Sequence, residues 1–323
     1  MMKKIVASLL MAVTVLSLAA CGDNNTKTTQ TTTAKTAEKV TGKTINMGIL
    51  PAESAIPIIL AQEKGFFKEA GTDVAIKSFA SPNDRNVAVQ SKQLDGTISD
   101  VMTEATFKKN GIDMKITSGI LEDFKILASP QSKITEMKGL AGKKVTLVPN
   151  FILEYIMDDF AKKDGFTYEV VNIPSFSARS EALLSGQVDG AVYTEPQASM
   201  LAKQGAKILG SSKDAKINGG TLQFTEAILK ERPQDIRAFY QGYNHAIDYM
   251  NQHKASEYAD ILTKYQFPAA MSTYLDSQEK DYPHAQKVDQ DQFDAIIQWA
   301  KNKKQIEKKY SYEQLTNFSY LTK

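Results

Sequence analysis

The sequence predicts an α/β protein with two lobes, each a mainly parallel sheet flanked by helices, followed by a helical C-terminal tail. Three observations carry this. Short apolar runs alternate with helix-periodic stretches from residue 44 to about residue 203, the pattern of parallel strands covered by helices. Two octets, Ser91-Lys92-Gln93-Leu94-Asp95-Gly96-Thr97-Ile98 and Ser185-Gly186-Gln187-Val188-Asp189-Gly190-Ala191-Val192, share one order of helix end, polar turn, Asp-Gly and strand, one copy to each lobe. The chain also has 323 residues, 42% of them hydrophobic, which suffices for more than one core.

Runs that read as strands are 45–50, 74–79, 96–98, 114–117, 126–128, 145–148, 169–173 and 190–193. Helices are expected over 56–68, 85–93, 153–163, 178–184 and 196–203, then through most of the chain from about 226. In each Asp-Gly turn the glycine is expected to admit a backbone conformation that other residues resist.

The N-terminus carries different information. Lys3 and Lys4 precede an apolar run over 5–18 that ends in Leu18-Ala19-Ala20-Cys21. Positive charge, a short apolar core and small residues before a cysteine are the parts of a lipoprotein export signal. Spanning a bilayer takes about 20 apolar residues, and this run is shorter. Residues 1–20 therefore read as a signal peptide and Cys21 as a lipidation site, with two acyl chains or more holding the protein on the extracytoplasmic face of the cell membrane. The stretch 21–43 is rich in Thr and poor in large apolar residues, so it reads as a disordered tether.

Composition excludes several classes. Cys21 is the one cysteine, so the exported body offers no disulfide, redox pair or thiolate metal site. Net charge is +2, and removal of Lys3 and Lys4 brings it to zero, which advertises no nucleic acid partner. No Gly-x-Ser-x-Gly elbow or phosphate-binding Gly-Lys-Ser/Thr loop is present. His245, His253 and His284 all lie in the helical tail and form no i, i+4 metal pair. No catalytic residue, metal or cofactor is expected.

Further segments carry a family resemblance: Ala61-Gln62-Glu63-Lys64-Gly65-Phe66-Phe67-Lys68-Glu69-Ala70-Gly71, the two Gln-x-Asp-Gly turns, Leu140-Ala141-Gly142-Lys143-Lys144-Val145 and Tyr193-Thr194-Glu195-Pro196. Lys230-Glu231-Arg232-Pro233 and Leu315-Thr316-Asn317-Phe318-Ser319-Tyr320-Leu321 extend it to the tail. From residue 44 onward the chain resembles the solute-binding lipoproteins of ABC importers in the nitrate, sulfonate, taurine and thiamine-precursor group. The resemblance implies a type II periplasmic-binding-protein fold, with residues 44–126 plus 221–323 in lobe one and 127–220 in lobe two. It implies hinges near 126–130 and 218–222, with the C-terminal helices packed on lobe one. It also implies a monomer that captures a small nitrogen- or sulfur-containing solute by lobe closure and delivers it to an ABC permease and its ATPase subunit. A surface sensor or adhesin on the same fold stays open. So does a thiamine-pyrimidine synthase, although that enzyme relies on an active-site histidine and clustered cysteines, and Cys21 alone cannot supply such a cluster.

In open parallel sheets ligands sit beyond the carboxyl ends of strands, near helix N-termini. That rule selects Glu53, Ser54, Ser81, Asn83, Ser99, Asp100 and Leu121 in lobe one, and Asn150, Phe151, Ser175, Tyr193 and Glu195 in lobe two. Capping explains Ser54, Ser81, Asn83 and Ser175 equally well. With Glu53, Asp100 and Glu195 at the tips, the expected solute is a neutral or cationic nitrogen compound, unless Arg85 or Arg179 turns inward at a helix start and reverses the preference.

Overall fold

A computed structural model of the chain describes residues 39–120 and 122–321. The expected signal peptide, Cys21, most of the tether and Leu121 lie outside the described residues.

Among the described residues the strands form two sheets of five. The strands are β1 (Thr44–Ile49), β2 (Asp73–Ser78), β3 (Gly96–Asp100), β4 (Met114–Gly119), β5 (Lys125–Ala128), β6 (Lys144–Leu147), β7 (Glu169–Asn172), β8 (Gly190–Tyr193), β9 (Lys207–Ser211) and β10 (Gly220–Thr225). The first sheet has the order β2-β1-β3-β10-β4 and the second β7-β6-β8-β5-β9. In each sheet the fourth strand pairs antiparallel with both neighbours, so the other four share one direction. The reversed strands β10 and β5 are those that enter a lobe directly from the other. Each starts beside the carboxyl end of its neighbour, Gly220 opposite Asp100 and Lys125 opposite Tyr193.

The chain crosses between sheets from Gly119 to Lys125 and again from Ser211 to Gly220. A boundary after residue 126 thus falls inside β5, whose partners β8 and β9 place it wholly in the second sheet. Strands β9 and β10 carry no strand expectation from the sequence. Gly219-Gly220 reads there as a hinge and the following residues as the start of the helical tail.

The repeated Asp-Gly turns have a shared structural cause. The Asp95 carboxylate accepts the Asn46 N–H at 2.8 Å, while the Asp95 N–H donates to the Asn46 carbonyl at 2.9 Å. Asp189 does the same with Lys144, at 3.0 and 2.8 Å. Each aspartate thereby fastens the entering strand to its parallel neighbour. The glycines serve close packing rather than unusual backbone. A Cβ on Gly96 would lie 2.5 Å from the Phe224 ring, and one on Gly190 would lie 2.8 Å from Leu140. The left-handed residues sit four positions earlier, at Lys92 (φ 57°) and Gly186 (φ 76°).

One core forms around β1, the Ile56–Glu63 helix and the Pro233–Gln252 helix, with Phe67, Phe224, Phe239 and Tyr240 at its centre. The helix expected over 56–68 is broken at Gly65 (φ 83°) into Ile56–Glu63 and Phe66–Glu69. A second core joins Val101, Met102 and Ala105 to Leu147, Ile152 and Ile156 across the lobes. The Gln290–Asn302 helix supplies Phe293, Ile296 and Ile297 to it. Its Trp299 Nε1 donates to Asp158 at 2.8 Å on the Ile152–Asp164 helix, so this tail helix grips lobe two as well as lobe one.

Candidate functional site

The carboxyl ends of both sheets converge on a cavity of about 70 Å³ between the lobes. Leu50 follows β1, Ile98, Ser99 and Asp100 close β3, Val148 follows β6, Pro174 follows β7 and Thr194 follows β8. Glu122 and Phe124 come from the first crossing, and Phe151 and Ile152 from the start of a lobe-two helix. The walls are mostly apolar, with charge confined to Arg85, Arg179, Asp100 and Glu122.

Both arginines turn inward, which realises the condition under which the site accepts an anion. Arg85 is 2% exposed and Arg179 is 1% exposed. Their places correspond. Ser81 caps the Pro82–Gln90 helix and Ser175 caps the Phe176–Leu184 helix, accepting from Asp84 N and Ala178 N. Each arginine follows its cap by four residues, so both project from the first turn into the cleft.

Their surroundings differ. Arg85 Nη1 donates to the Ile98 carbonyl at 2.8 Å, and its Nε and Nη2 both donate to Asn86 Oδ1, at 3.1 and 2.8 Å. Burial lowers its pKa to about 10, opposed by the charges of Asp100 and Glu122. Arg179 lies with its guanidinium 4.8 Å from the Phe176 ring centre and 4.9 Å from that of Tyr193. Its Nε and Nη1 are buried without a hydrogen-bond partner. Burial lowers its pKa too, and the opposing influence is the Tyr193 hydroxyl rather than any carboxylate.

Asp100 lines the cavity, but both its oxygens are engaged. Oδ1 accepts from Thr103 N at 2.8 Å, capping its own helix, and Oδ2 accepts from Ile152 N at 3.4 Å across the cleft. One carboxylate thus closes two helix N-termini, a favourable place for negative charge. Burial still raises its pKa, against the pull of Arg85. Glu122 accepts a short hydrogen bond from the Ser54 hydroxyl, and burial pushes its pKa up to about 7.

The remaining sequence-selected residues divide. Ser99 and Phe151 line the cavity with Asp100. Ser54 stands behind Glu122 and is not a cap, and Asn83 lies inside the Pro82–Gln90 helix. Asn83 and Asn150 border an outer groove of about 610 Å³ that shares Phe151 and Val148 with the cavity. Ser81 and Ser175 are caps. Tyr193 is buried beneath Arg179, its hydroxyl donating to the Phe176 carbonyl at 2.9 Å, so it positions the guanidinium. Glu195 holds Ser199 N at 2.9 Å and lies outside the cavity wall. Glu53 borders an adjacent groove with Glu122, Asp123 and Tyr274; burial first, then Asp123, Glu122 and Glu195, push its pKa up to about 8.

Glu122 is a cavity residue outside the strand tips, and Thr194 stands within the tip Tyr193-Thr194-Glu195 between the two residues selected there. The spacing Ser-x-x-x-Arg before each Asp-Gly turn was the available signal for the arginines. The three histidines lie away from the cavity, in exposed pairs with Glu69, Glu257 and Asp248. Among the described residues no cluster of His, Cys, Asp and Glu could hold a metal ion.

Two mixed five-stranded sheets, linked by two crossings and enclosing a cavity at their strand ends, define a type II periplasmic-binding-protein fold. The periplasmic aliphatic sulphonate binding protein SsuA from Escherichia coli has a similar structure, with a TM-score of 0.68 at 16% identity, over 85% of this chain and 92% of that one. The chain belongs to the NMT1/THI5-like family, whose model matches residues 52–256. A 4-amino-5-hydroxymethyl-2-methylpyrimidine phosphate synthase of Saccharomyces cerevisiae is 28% identical over 221 residues, covering 62% of this chain and 64% of the yeast protein, less than two thirds of its length. A Bacillus subtilis protein named for aliphatic sulfonate binding is also 28% identical, over 68% of this chain and 70% of its own.

Proposed function

We propose that the protein is the membrane-tethered, extracytoplasmic solute receptor of an ABC importer, closing its two lobes over one small solute and presenting it to a permease. The observation that carries this is a set of buried polar atoms without partners around one cavity: Ser99 Oγ from lobe one, and Thr194 Oγ1, Arg179 Nε and Arg179 Nη1 from lobe two. Buried polar groups are ordinarily paired, and leaving one unpaired costs about 1–3 kcal/mol. Atoms in that state on both walls of a cleft are what a solute bound across it would satisfy. Closure on the solute then creates a shape that a permease distinguishes from the open form.

A synthase reading draws on the yeast relative, yet no histidine or cysteine lines this cavity. The receptor reading is favoured by that lining and by the N-terminal lipidation pattern ending at Cys21. Among the described residues no helix is long and apolar enough to cross a membrane, so the tether would supply the attachment.

A thermal-shift screen of the purified chain tests the receptor reading. A solute at a hundred times its Kd adds about 2.7 kcal/mol of stability. One solute that raises the melting temperature and leaves the protein chemically unchanged is the expected result, whereas turnover of a pyrimidine precursor would replace the receptor with an enzyme. Cys21→Ser tests the anchor separately: the variant is expected in the soluble fraction, and acylated, membrane-bound variant would refute lipidation at this residue.

A further inference from the structure

We infer that the solute is a small monocarboxylate whose planar charged group sits on Arg179, taking the place of the acceptors that lobe one supplies to Arg85 from its own chain. The inference rests on the receptor reading above and narrows the solute it holds.

The two lobes repeat a unit of N-cap serine, arginine four residues later, aspartate ten residues after that, and strand. Ser81, Arg85, Asp95 and Asp100 correspond to Ser175, Arg179, Asp189 and Thr194. In lobe one the position closing the strand is Asp100, whose charge faces Arg85, and Asn86 accepts from two of the guanidinium nitrogens. In lobe two the matching position, directly after β8, is neutral Thr194. The residue matching Asn86 is Ser180, whose hydroxyl donates to the Phe176 carbonyl at 3.0 Å, and no hydrogen bond from Arg179 reaches it. Arg179 therefore keeps a buried charge and two unpaired nitrogens, Nε and Nη1, beside two aromatic rings.

A charge-assisted hydrogen bond from Nε or Nη1 to a carboxylate oxygen is roughly twice as strong as a neutral one. Thr194 Oγ1, unpaired in the wall of the same cavity, can donate to a carboxylate oxygen. A dianion finds no second unpaired cation in the wall, since Arg85 is satisfied and the other charged groups are Asp100 and Glu122. The cavity volume is about 70 Å³. At about 10–15 Å³ for each water-sized group, it holds roughly five to seven of them. A short carbon chain against Val148, Ile152 and Phe124 suits it.

The test uses the full chain purified in detergent, with propanoate, butanoate and 2-hydroxybutanoate set against propanesulfonate, nitrate and 4-amino-5-hydroxymethyl-2-methylpyrimidine, by calorimetric titration and thermal shift. A carboxylate is expected to bind at least about tenfold more tightly than the matched sulfonate. Arg179→Lys keeps the charge but removes Nε and Nη1, and is expected to weaken that binding by about tenfold or more. Thr194→Asp, which restores the lobe-one arrangement, is expected to abolish it. Tighter binding of the sulfonate or the pyrimidine would overturn the monocarboxylate and leave the receptor standing. So would carboxylate binding indifferent to both variants. Silence from every carboxylate, or tighter binding of nitrate, would likewise overturn the monocarboxylate and leave the receptor to the wider screen.

Discussion

Arg85 and Arg179 occupy equivalent places in two lobes with the same strand order, and each is almost wholly buried at the mouth of the same cleft. Around Arg85 the chain has assembled a carbonyl, an amide oxygen and two carboxylates. Around Arg179 it has assembled two aromatic rings and a threonine. The first arrangement completes a charge within the protein and so belongs to stability. The second leaves the charge to be completed from outside and so belongs to binding. A buried ion is costly unless paired, and which role it plays depends on whether its counter-ion is covalently present.

The sharpest way to break the comparison is to neutralise each arginine in turn. Arg85→Gln leaves the Ile98 carbonyl and Asn86 Oδ1 without their buried donors and is expected to cost about 1–3 kcal/mol in urea denaturation at pH 7. Arg179→Gln removes a charge that has no counter-ion, so its cost is expected within about 1 kcal/mol. Equal losses would deny the asymmetry.

The glycines of the two turns come next. Gly96→Ala drives a methyl to 2.5 Å from Phe224 and is expected to cost about 1–3 kcal/mol by the same measurement. Gly190→Ala meets the flexible end of Leu140 at 2.8 Å but also the Leu127 carbonyl at 3.2 Å, and is expected to cost nearly as much. A negligible effect at either site would show that close packing is not the reason for glycine there.

Thr194→Asp should make lobe two resemble lobe one, raising ligand-free stability by about 1 kcal/mol as Arg179 gains its acceptor. A lower melting temperature would mean that the guanidinium and the new carboxylate do not meet.

The smallest effect concerns the acidic side of the cleft. Glu53, with a pKa of about 8 against an ordinary 4.5, holds a proton in the folded state that the unfolded chain releases. Its contribution to stability is therefore fully present below about pH 4.5 and is lost as pH rises toward 8. Glu53→Gln is expected to match the parent near pH 4.5 and exceed it by about 1 kcal/mol at pH 8, allowing for neighbouring carboxylates that protonate in turn. Parallel stability curves for parent and variant would rule this out.

Legibility in the sequence followed locality. Strands β1 to β8 and the capping serines at 81 and 175 were readable because apolar periodicity and cap chemistry act over a few residues. β10 was not, because its place between β3 and β4 depends on a return from the other lobe, and its first residues read as well for a hinge. Asp100 and Phe151 were found at strand ends, but Glu122 lies in a crossing segment, where no periodic pattern points. Tyr193 was selected for the right strand end and the wrong contact: its ring supports Arg179 from beneath.

By itself the sequence determined the α/β alternation, the doubled Asp-Gly unit and the placement of an arginine four residues after each capping serine, all set by backbone hydrogen bonding and side-chain periodicity within one stretch of chain. Only the tertiary structure decided that the Ile98 carbonyl and Asn86 Oδ1 complete Arg85 while Arg179 Nε and Nη1 stay unpaired, because pairing a buried charge depends on which oxygen the fold carries to within about 3 Å of it.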